Sequence, residues 1–199
     1  MVETEVKFLI KDPQRIARLL EELGAQPAVA EIHELNLRFD RPDRSLARAS
    51  QVLRLRRDSR VRLTYKGPRY ASGDAGARTE IEFEAGDFDA AQAFLEALGY
   101  EVSMLYEKTR RTYHLGPAEV VLDRTPLGHF VEIEGPGSEE IEAAARRLGL
   151  DWSARCLLSY TALFDQVKAA LGLDFRDLTF ENFEGIGGIA KVIGVEFAD

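Results

Sequence analysis

Val2-Glu3-Thr4-Glu5-Val6-Lys7-Phe8 alternates charged residues with apolar or small ones at every step. Successive side chains of a β-strand point to opposite faces, so residues two apart share a surface. Glu3, Glu5 and Lys7 therefore line one face, and Val2, Thr4, Val6 and Phe8 the other. The same parity recurs at Arg54/Arg56, Arg62/Lys66, Glu80/Glu82/Glu84, Lys108/Arg110 and Glu132/Glu134, each interleaved with Leu, Val, Ile, Phe or Tyr. Any one of these reads as an ordinary strand with a wet outer face. The set reads differently: acids fall at both ends of the pattern and in its middle, with Arg and Lys between, and a merely solvated face needs few Arg. A sheet face charged throughout is predicted. Closed into a barrel with that face inward, the sheet would enclose a water-filled channel lined by carboxylates and cations, a receptacle for a metal-bound polyanion.

Length and composition bound the rest. A chain of 199 residues, 45% hydrophobic, can bury a core and fits one domain with or without a terminal appendage. A net charge of −8 and a pI near 5.1 argue against a nucleic-acid partner, which usually requires a basic surface. The cations must act locally. Cys156 is the only cysteine, which excludes an intrachain disulfide and fits a reducing, cytoplasmic location; Leu157 and Leu158 beside it suggest a packed thiol. No run approaches the roughly 20 apolar residues of a membrane span, and Glu3, Glu5 and Lys7 interrupt any signal-peptide pattern at once. His33, His114 and His129 are scattered, so a hard, oxygen-ligated cation suits this chain better than zinc.

Along the chain, Asp12-Pro13 opens a helix with Ile16, Leu19, Leu20 and Leu23 at helical spacing, closed by Gly24. Residues 34–40 return to alternation, with Glu34, Asn36, Arg38 and Asp40 on one face. Residues 41–49 form a loop ahead of a hairpin of 52–57 and 61–66. Gly67-Pro68 breaks the second strand, and the Gly-, Ala- and Ser-rich stretch to Gly76 reads as a flexible loop able to act as a lid. Strand 78–84 precedes a helix capped by Asp87 and ended by Gly99. Strands 106–115, 118–123 and 129–134 bring the count to eight. Ser138-Glu139-Glu140-Ile141 opens a third helix, with Glu142 three residues past Glu139, and a fourth runs from about Leu157 to Leu171. This order indicates an α+β fold in which helices cover the sheet's apolar outer face. Residues 1–171 form the domain, and residues 172–199, with Phe175, Phe180, Phe183 and a Gly-rich 185–188 turn, form an appendage that packs back or mediates contacts such as a homodimer.

The ordered set Glu3-x-Glu5-x-Lys7, Leu53-Arg54-Leu55-Arg56, Leu63-Thr64-Tyr65-Lys66-Gly67-Pro68, Thr79-Glu80-Ile81-Glu82, Glu107-Lys108-x-Arg110-Arg111, Leu122-Asp123, Leu127-Gly128-x-Phe130-Val131-Glu132-Ile133-Glu134 and Ser159-Tyr160 resembles the CYTH superfamily, the triphosphate tunnel metalloenzymes. That superfamily includes class IV adenylyl cyclases, thiamine triphosphatases and inorganic triphosphatases. The resemblance implies a closed eight-stranded antiparallel tunnel that takes up a triphosphate with Mg2+ or Mn2+. It implies metal ligation by Glu3, Glu5, Glu132 and Glu134, joined by Asp123 and by Glu80 or Glu82. It assigns the phosphate oxygens to Lys7, Arg54, Arg56, Lys66, Lys108 and Arg110, and makes Glu5, Lys7, Arg56 and Glu82 the catalytic candidates. Parity prefers Arg110 to Arg111, which shares a face with Tyr113 and Leu115. One departure stands out: many family members carry a basic residue before the Ser-Tyr pair, where this chain has Leu158, with Arg155 three residues earlier.

The expected activity is a metal-dependent triphosphatase acting on inorganic triphosphate or an organic triphosphate such as thiamine triphosphate or a nucleotide. The alternative is a class IV adenylyl cyclase forming cyclic AMP and pyrophosphate from ATP, toward which the Leu-Thr-Tyr-Lys-Gly-Pro run leans. A non-catalytic polyphosphate-binding module would keep the cations and lose acids, which this chain retains.

Overall fold

The computed structural model describes the backbone of residues 2–68, 70–72 and 75–199 and the side chains of residues 4–28, 30–68 and 79–199. Nine strands, β1 (Val2–Ile10), β2 (Gln26–Asp40), β3 (Val52–Arg57), β4 (Val61–Lys66), β5 (Tyr70–Ser72), β6 (Ala75–Glu84), β7 (Glu101–Leu115), β8 (Ala118–Thr125) and β9 (Gly128–Glu134), form one sheet in the order β1-β9-β8-β7-β2-β3-β4-β6-β5. The helices are α1 (Pro13–Glu22), α2 (Ser45–Arg48), α3 (Phe88–Ala97), α4 (Ser138–Arg147), α5 (Tyr160–Leu171) and α6 (Ile189–Val192). Asp12 caps α1 by accepting from Arg15 N at 2.9 Å, and Asp87 caps α3 by accepting from Ala90 N at 2.7 Å. No helix among the described residues is long and apolar enough to cross a membrane.

Every strand pairing is antiparallel, and the fold is α+β as the alternation predicts. The closed tunnel is corrected to an open sheet curled into a half-barrel. The two ends of the sheet meet only where Val2–Glu5 of β1 faces Gly76–Thr79 of β6. Beyond that seam β6 turns away to pair with β4, and the same edge of β1 is taken by other chain segments. Lys7 exchanges backbone hydrogen bonds with Cys156 at 3.1 and 2.7 Å, and Leu9 O accepts from Ala198 N at 2.9 Å.

Helices on the convex side bury the apolar parity. Val6, Phe8, Ile10, Val131 and Ile133 pack with Ile16 and Leu20 of α1 and Ile141 and Ala145 of α4. Leu37, Phe39 and Leu55 pack with Phe88 and Leu95 of α3. The concave side is not charged throughout, as the pattern suggested. Leu9, Tyr106 and Phe130 have the parity of Lys7, Lys108 and Glu132, yet they pack with Leu163 and Phe164 of α5 and with Leu178, Phe183 and Ile193. Phe164, Phe175 and Phe183 form a ring cluster with centroids 5.4–5.9 Å apart. This apolar plug sits against one end of the concave face.

Three local expectations change. The stretch read as a flexible lid contains β5 and the start of β6, paired Tyr70↔Ala77 to Ser72↔Ala75, while Arg69, Gly73 and Asp74 lie outside the described residues. The helix expected from Leu157 begins at Tyr160, capped by Ser159, whose hydroxyl accepts from Ala162 N at 3.2 Å, because Cys156 is committed to the β1 edge. The third helix takes Gly137 as its cap, with no side-chain hydrogen bond, and Ser138 is its first helical residue.

Candidate active site

A cavity of about 1100 Å3 occupies the concave face. Lys7, Arg54, Arg56, Lys66, Lys108 and Arg110 line it, together with Glu5, Glu80, Glu82, Glu132 and Glu134. Six strands, β1, β3, β4, β6, β7 and β9, deliver these side chains by the two-residue period, which turns Val6, Leu55 and Ile133 to the opposite face. Of the remaining expected residues, Glu3 pairs through its backbone with Arg78, and its side chain lies outside the described residues. Arg111 points away, half-exposed beside Glu31 at 3.6 Å.

On the wall built by β7, β8, β9 and β1, carboxylates bind the cations in a continuous network. Lys7 Nζ lies 2.7 Å from Glu132 and 3.1 Å from Glu5. Lys108 Nζ donates to Asp123 Oδ2 at 2.8 Å, and Arg110 grips both Asp123 oxygens at 2.8 and 2.7 Å while also bonding Glu132. Tyr160 OH donates to the same Asp123 at 2.9 Å, and its ring lies beneath Lys7 and Lys108, 5.6 and 5.2 Å from their Nζ atoms. Asp123 is buried with three protein donors and does not line the cavity. In this structure Asp123 is an internal counter-ion to Lys108 and Arg110.

On the wall built by β2, β3, β4 and β6, Glu34 is the centre. It is 1% exposed, accepts from Arg56 Nη1 at 2.9 Å, and has Lys108 and Arg110 at 3.7 and 3.8 Å. Glu82 accepts from Thr64 Oγ1 at 2.7 Å and has Arg54 and Arg56 at 3.5 and 3.6 Å. Lys66 pairs with Glu80 at 2.6 Å. Arg62, half-buried beside Asp58, lies 3.8 Å from Glu82.

These contacts decide protonation. Burial alone would raise Glu132, but Lys7, Lys108 and Arg110 outweigh it and hold the carboxyl well below its ordinary range. Glu34 follows the same logic, lowered despite burial by Lys108, Arg110, Arg56 and Arg54. Glu82 is lowered against its burial by the Thr64 hydrogen bond and by Arg56, Arg54 and Arg62. Burial, with Asp123 and Glu132 nearby, pushes the Tyr160 phenol well above its ordinary value. The carboxylates thus remain ionised at neutral pH.

Glu5, Glu134 and Glu119 stand in one row across β1, β9 and β8, and all three line the cavity. Among the described residues, no three acid, His or Cys side chains converge on one point. The row offers the hard oxygen donors that a divalent ion such as Mg2+ takes. Around the mouth the lining turns neutral, through Ala47, Ser50, Gln51 and Val52 on one side and Leu157, Leu158 and Thr161 on the other. Arg38 ties these sides by donating to Thr161 Oγ1 at 2.8 Å. Leu158 is 39% exposed, and Arg155 stacks over Trp152 at 5.1 Å and does not line the cavity.

Sequence reading missed Glu34, Glu119, Tyr106 and the anchoring role of Tyr160. Glu34 and Tyr106 carried a usable signal, the parity shared with Arg38 and Lys108. Their burial carried none, because it is imposed by strands remote in the chain.

The CYTH domain model matches residues 1–154. Adenylate cyclase CyaB of Aeromonas hydrophila is 28% identical over 177 residues, spanning 82% of this chain and 89% of that protein. The solved PH1819 protein of Pyrococcus horikoshii OT3 is similar with a TM-score of 0.70 at 27% identity, covering 81% of this chain and 97% of that one. HpAC1 of Hippeastrum, for which a dominant triphosphatase activity is described, shares the fold with a TM-score of 0.63 at 18% identity, over 82% of this chain and 95% of that one.

Proposed function

Because this chain belongs to the CYTH domain family, we propose that it is a divalent-metal-dependent triphosphatase releasing orthophosphate from inorganic triphosphate or from an organic one such as thiamine triphosphate or a nucleotide. The observation that supports this reading is one cavity lined by Lys7, Arg54, Arg56, Lys66, Lys108 and Arg110, each with a carboxylate close by. A triphosphate brings about four negative charges, and burying them uncompensated would be prohibitive.

Entry of that charge re-partners the network. Arg54, Arg56 and Arg110 offer planar two-pronged donors, and Lys7, Lys66 and Lys108 offer point charges, to the phosphate oxygens. Glu5, Glu80 and Glu132, released from those cations, would hold Mg2+ or Mn2+ together with Glu134 and Glu3. The ion would supply charge neutralisation and polarise a phosphoryl oxygen. Asp123 keeps Lys108 and Arg110 in place. Glu82, held ionised by its arginines, accepts from a water and aims it at the terminal phosphorus, while Arg56, Lys7 and Glu5 fix the group being transferred. Catalysis is positioning plus electrostatic stabilisation.

The similarity to CyaB favours a second reading, adenylyl cyclase. The same cations would hold the triphosphate of ATP while the ribose 3′-hydroxyl attacks the α-phosphorus and pyrophosphate leaves; the neutral rim at Ser50, Gln51 and Leu158 gives the nucleoside a place. One assay separates the two: purified protein with inorganic triphosphate, thiamine triphosphate or ATP, each with magnesium or manganese, resolved for orthophosphate, pyrophosphate and cyclic AMP. Orthophosphate release is expected. Cyclic AMP with stoichiometric pyrophosphate reverses the order, and tight binding without turnover leaves a polyphosphate-binding module.

A further inference from the structure

Asn36 of β2 is fully buried, and neither its Oδ1 nor its Nδ2 has a hydrogen-bond partner among the described residues. Its place in the sheet is set by register: Arg56 on β3 and Tyr106 on β7 are its direct neighbours, and it shares the concave face with Glu34 and Arg38. Arg56 and Tyr106 line the cavity and Asn36 does not, so the amide lies behind them.

The surroundings share its condition. Glu34 Oε2, Arg54 Nε and Arg56 Nε are buried without a hydrogen bond. Lys108 Nζ, at 3.7 Å from Glu34 Oε2, is beyond hydrogen-bond length. Buried polar groups in folded proteins are almost always partnered, by protein or by ordered water. The mixture of groups identifies the partner. Phosphate has acceptors only, so it would satisfy the guanidinium Nε atoms and be repelled by Glu34 Oε2 and Asn36 Oδ1. A metal cation would suit those oxygens and be repelled by both guanidinium groups. Water donates and accepts, and a buried water commonly makes about three hydrogen bonds to such groups.

We propose that Asn36 anchors an internal water-binding pocket behind the cavity-facing arginines, and that through this water it sets the orientation of Arg54 and Arg56. Asn36 is a positioning residue that touches no substrate. The inference rests on the triphosphate reading only for the ligand those arginines hold.

A crystal structure of the full chain without substrate, at a resolution that shows ordered solvent, tests the pocket. Water within hydrogen-bond distance of both Asn36 amide atoms and of Glu34 Oε2 or Arg56 Nε is the expected result. An amide bonded directly to protein groups, with no water, overturns it. Asn36→Leu, of similar volume, is expected to expel the water and raise KM for inorganic triphosphate about tenfold with little change in kcat, as lost hydrogen bonding to charged groups predicts. Asn36→Ser, which keeps a hydroxyl and leaves space for a further water, restores most of the affinity. Wild-type KM in Asn36→Leu removes the positioning role. If the wild-type protein turns over no triphosphate, the functional reading fails while the solvent density still decides the pocket, as it does if Asn36→Leu fails to fold.

Discussion

Glu5 stands directly opposite Glu134 across the β1–β9 ladder, and Glu134 stands directly opposite Glu119 across the β8–β9 ladder. Like charges in that relationship cost up to about 1 kcal/mol each. Glu134→Gln removes one charge at constant size. If Glu134 is a metal ligand, the magnesium concentration for half-maximal activity is expected to rise about tenfold or more, with melting in a chelator as the control. Lower melting with unchanged metal demand would take Glu134 out of the ligand set.

Arg56 and Glu34 form a buried pair at 2.9 Å. Arg56→Ala leaves Glu34 with the more distant Lys108, Arg110 and Arg54, and breaking buried pairs of this kind costs about 3–5 kcal/mol. Urea denaturation is expected to show a loss toward the lower end of that range, and Glu34→Gln in the same chain should recover part of it. Additive losses in the double variant would mean that the two side chains are energetically independent.

The lowered Glu132 carboxyl ties stability to pH. A carboxyl whose pKa is depressed by folding stabilises the native state fully above its unfolded pKa, ordinarily near 4.5, and that contribution fades as pH falls toward the folded pKa. Glu34 and Glu82 act in the same direction. Unfolding free energy should therefore fall steeply below about pH 4.5. Glu132→Gln lowers stability at neutral pH and flattens the acid slope. An unchanged slope would show that Lys7 and Arg110 do not set this carboxyl's titration.

Tyr160 separates two contributions. Tyr160→Phe removes the hydrogen bond to Asp123 and keeps the ring beneath Lys7 and Lys108, so a loss of about 1–2 kcal/mol is expected. Tyr160→Ala also opens a hole against Phe130, whose ring centroid is 5.1 Å away, and should cost about 3–5 kcal/mol. Equal losses from the two variants would leave the ring without a packing role.

Much of this architecture is legible in period-two alternation, because one buried face fixes register and parity for the whole strand. The hairpin of β3 and β4 and the charged row on β1 are read directly from Arg54/Arg56, Arg62/Lys66 and Glu5/Lys7. The start of β2 is not, since register shifts near Pro27, Val29 and Ile32 reset the parity there, and the start of β7 faces a further shift between Arg38 and Phe39. The plug is signalled only by Leu9, which interrupts the charged parity of β1, and by Phe130, which interrupts that of β9. Glu34 looks like any surface acid of an alternating strand. What buries it is Arg56, Lys108 and Arg110 arriving from two other strands, which no local pattern encodes.

The seat of α5 against Leu9 and Phe130 also governs traffic. On that side an ion would meet hydrocarbon, so under the triphosphate reading reactant and product are expected to share one doorway. A spent phosphate then blocks the next arrival until it leaves, so inhibition by orthophosphate should be competitive with the triphosphate.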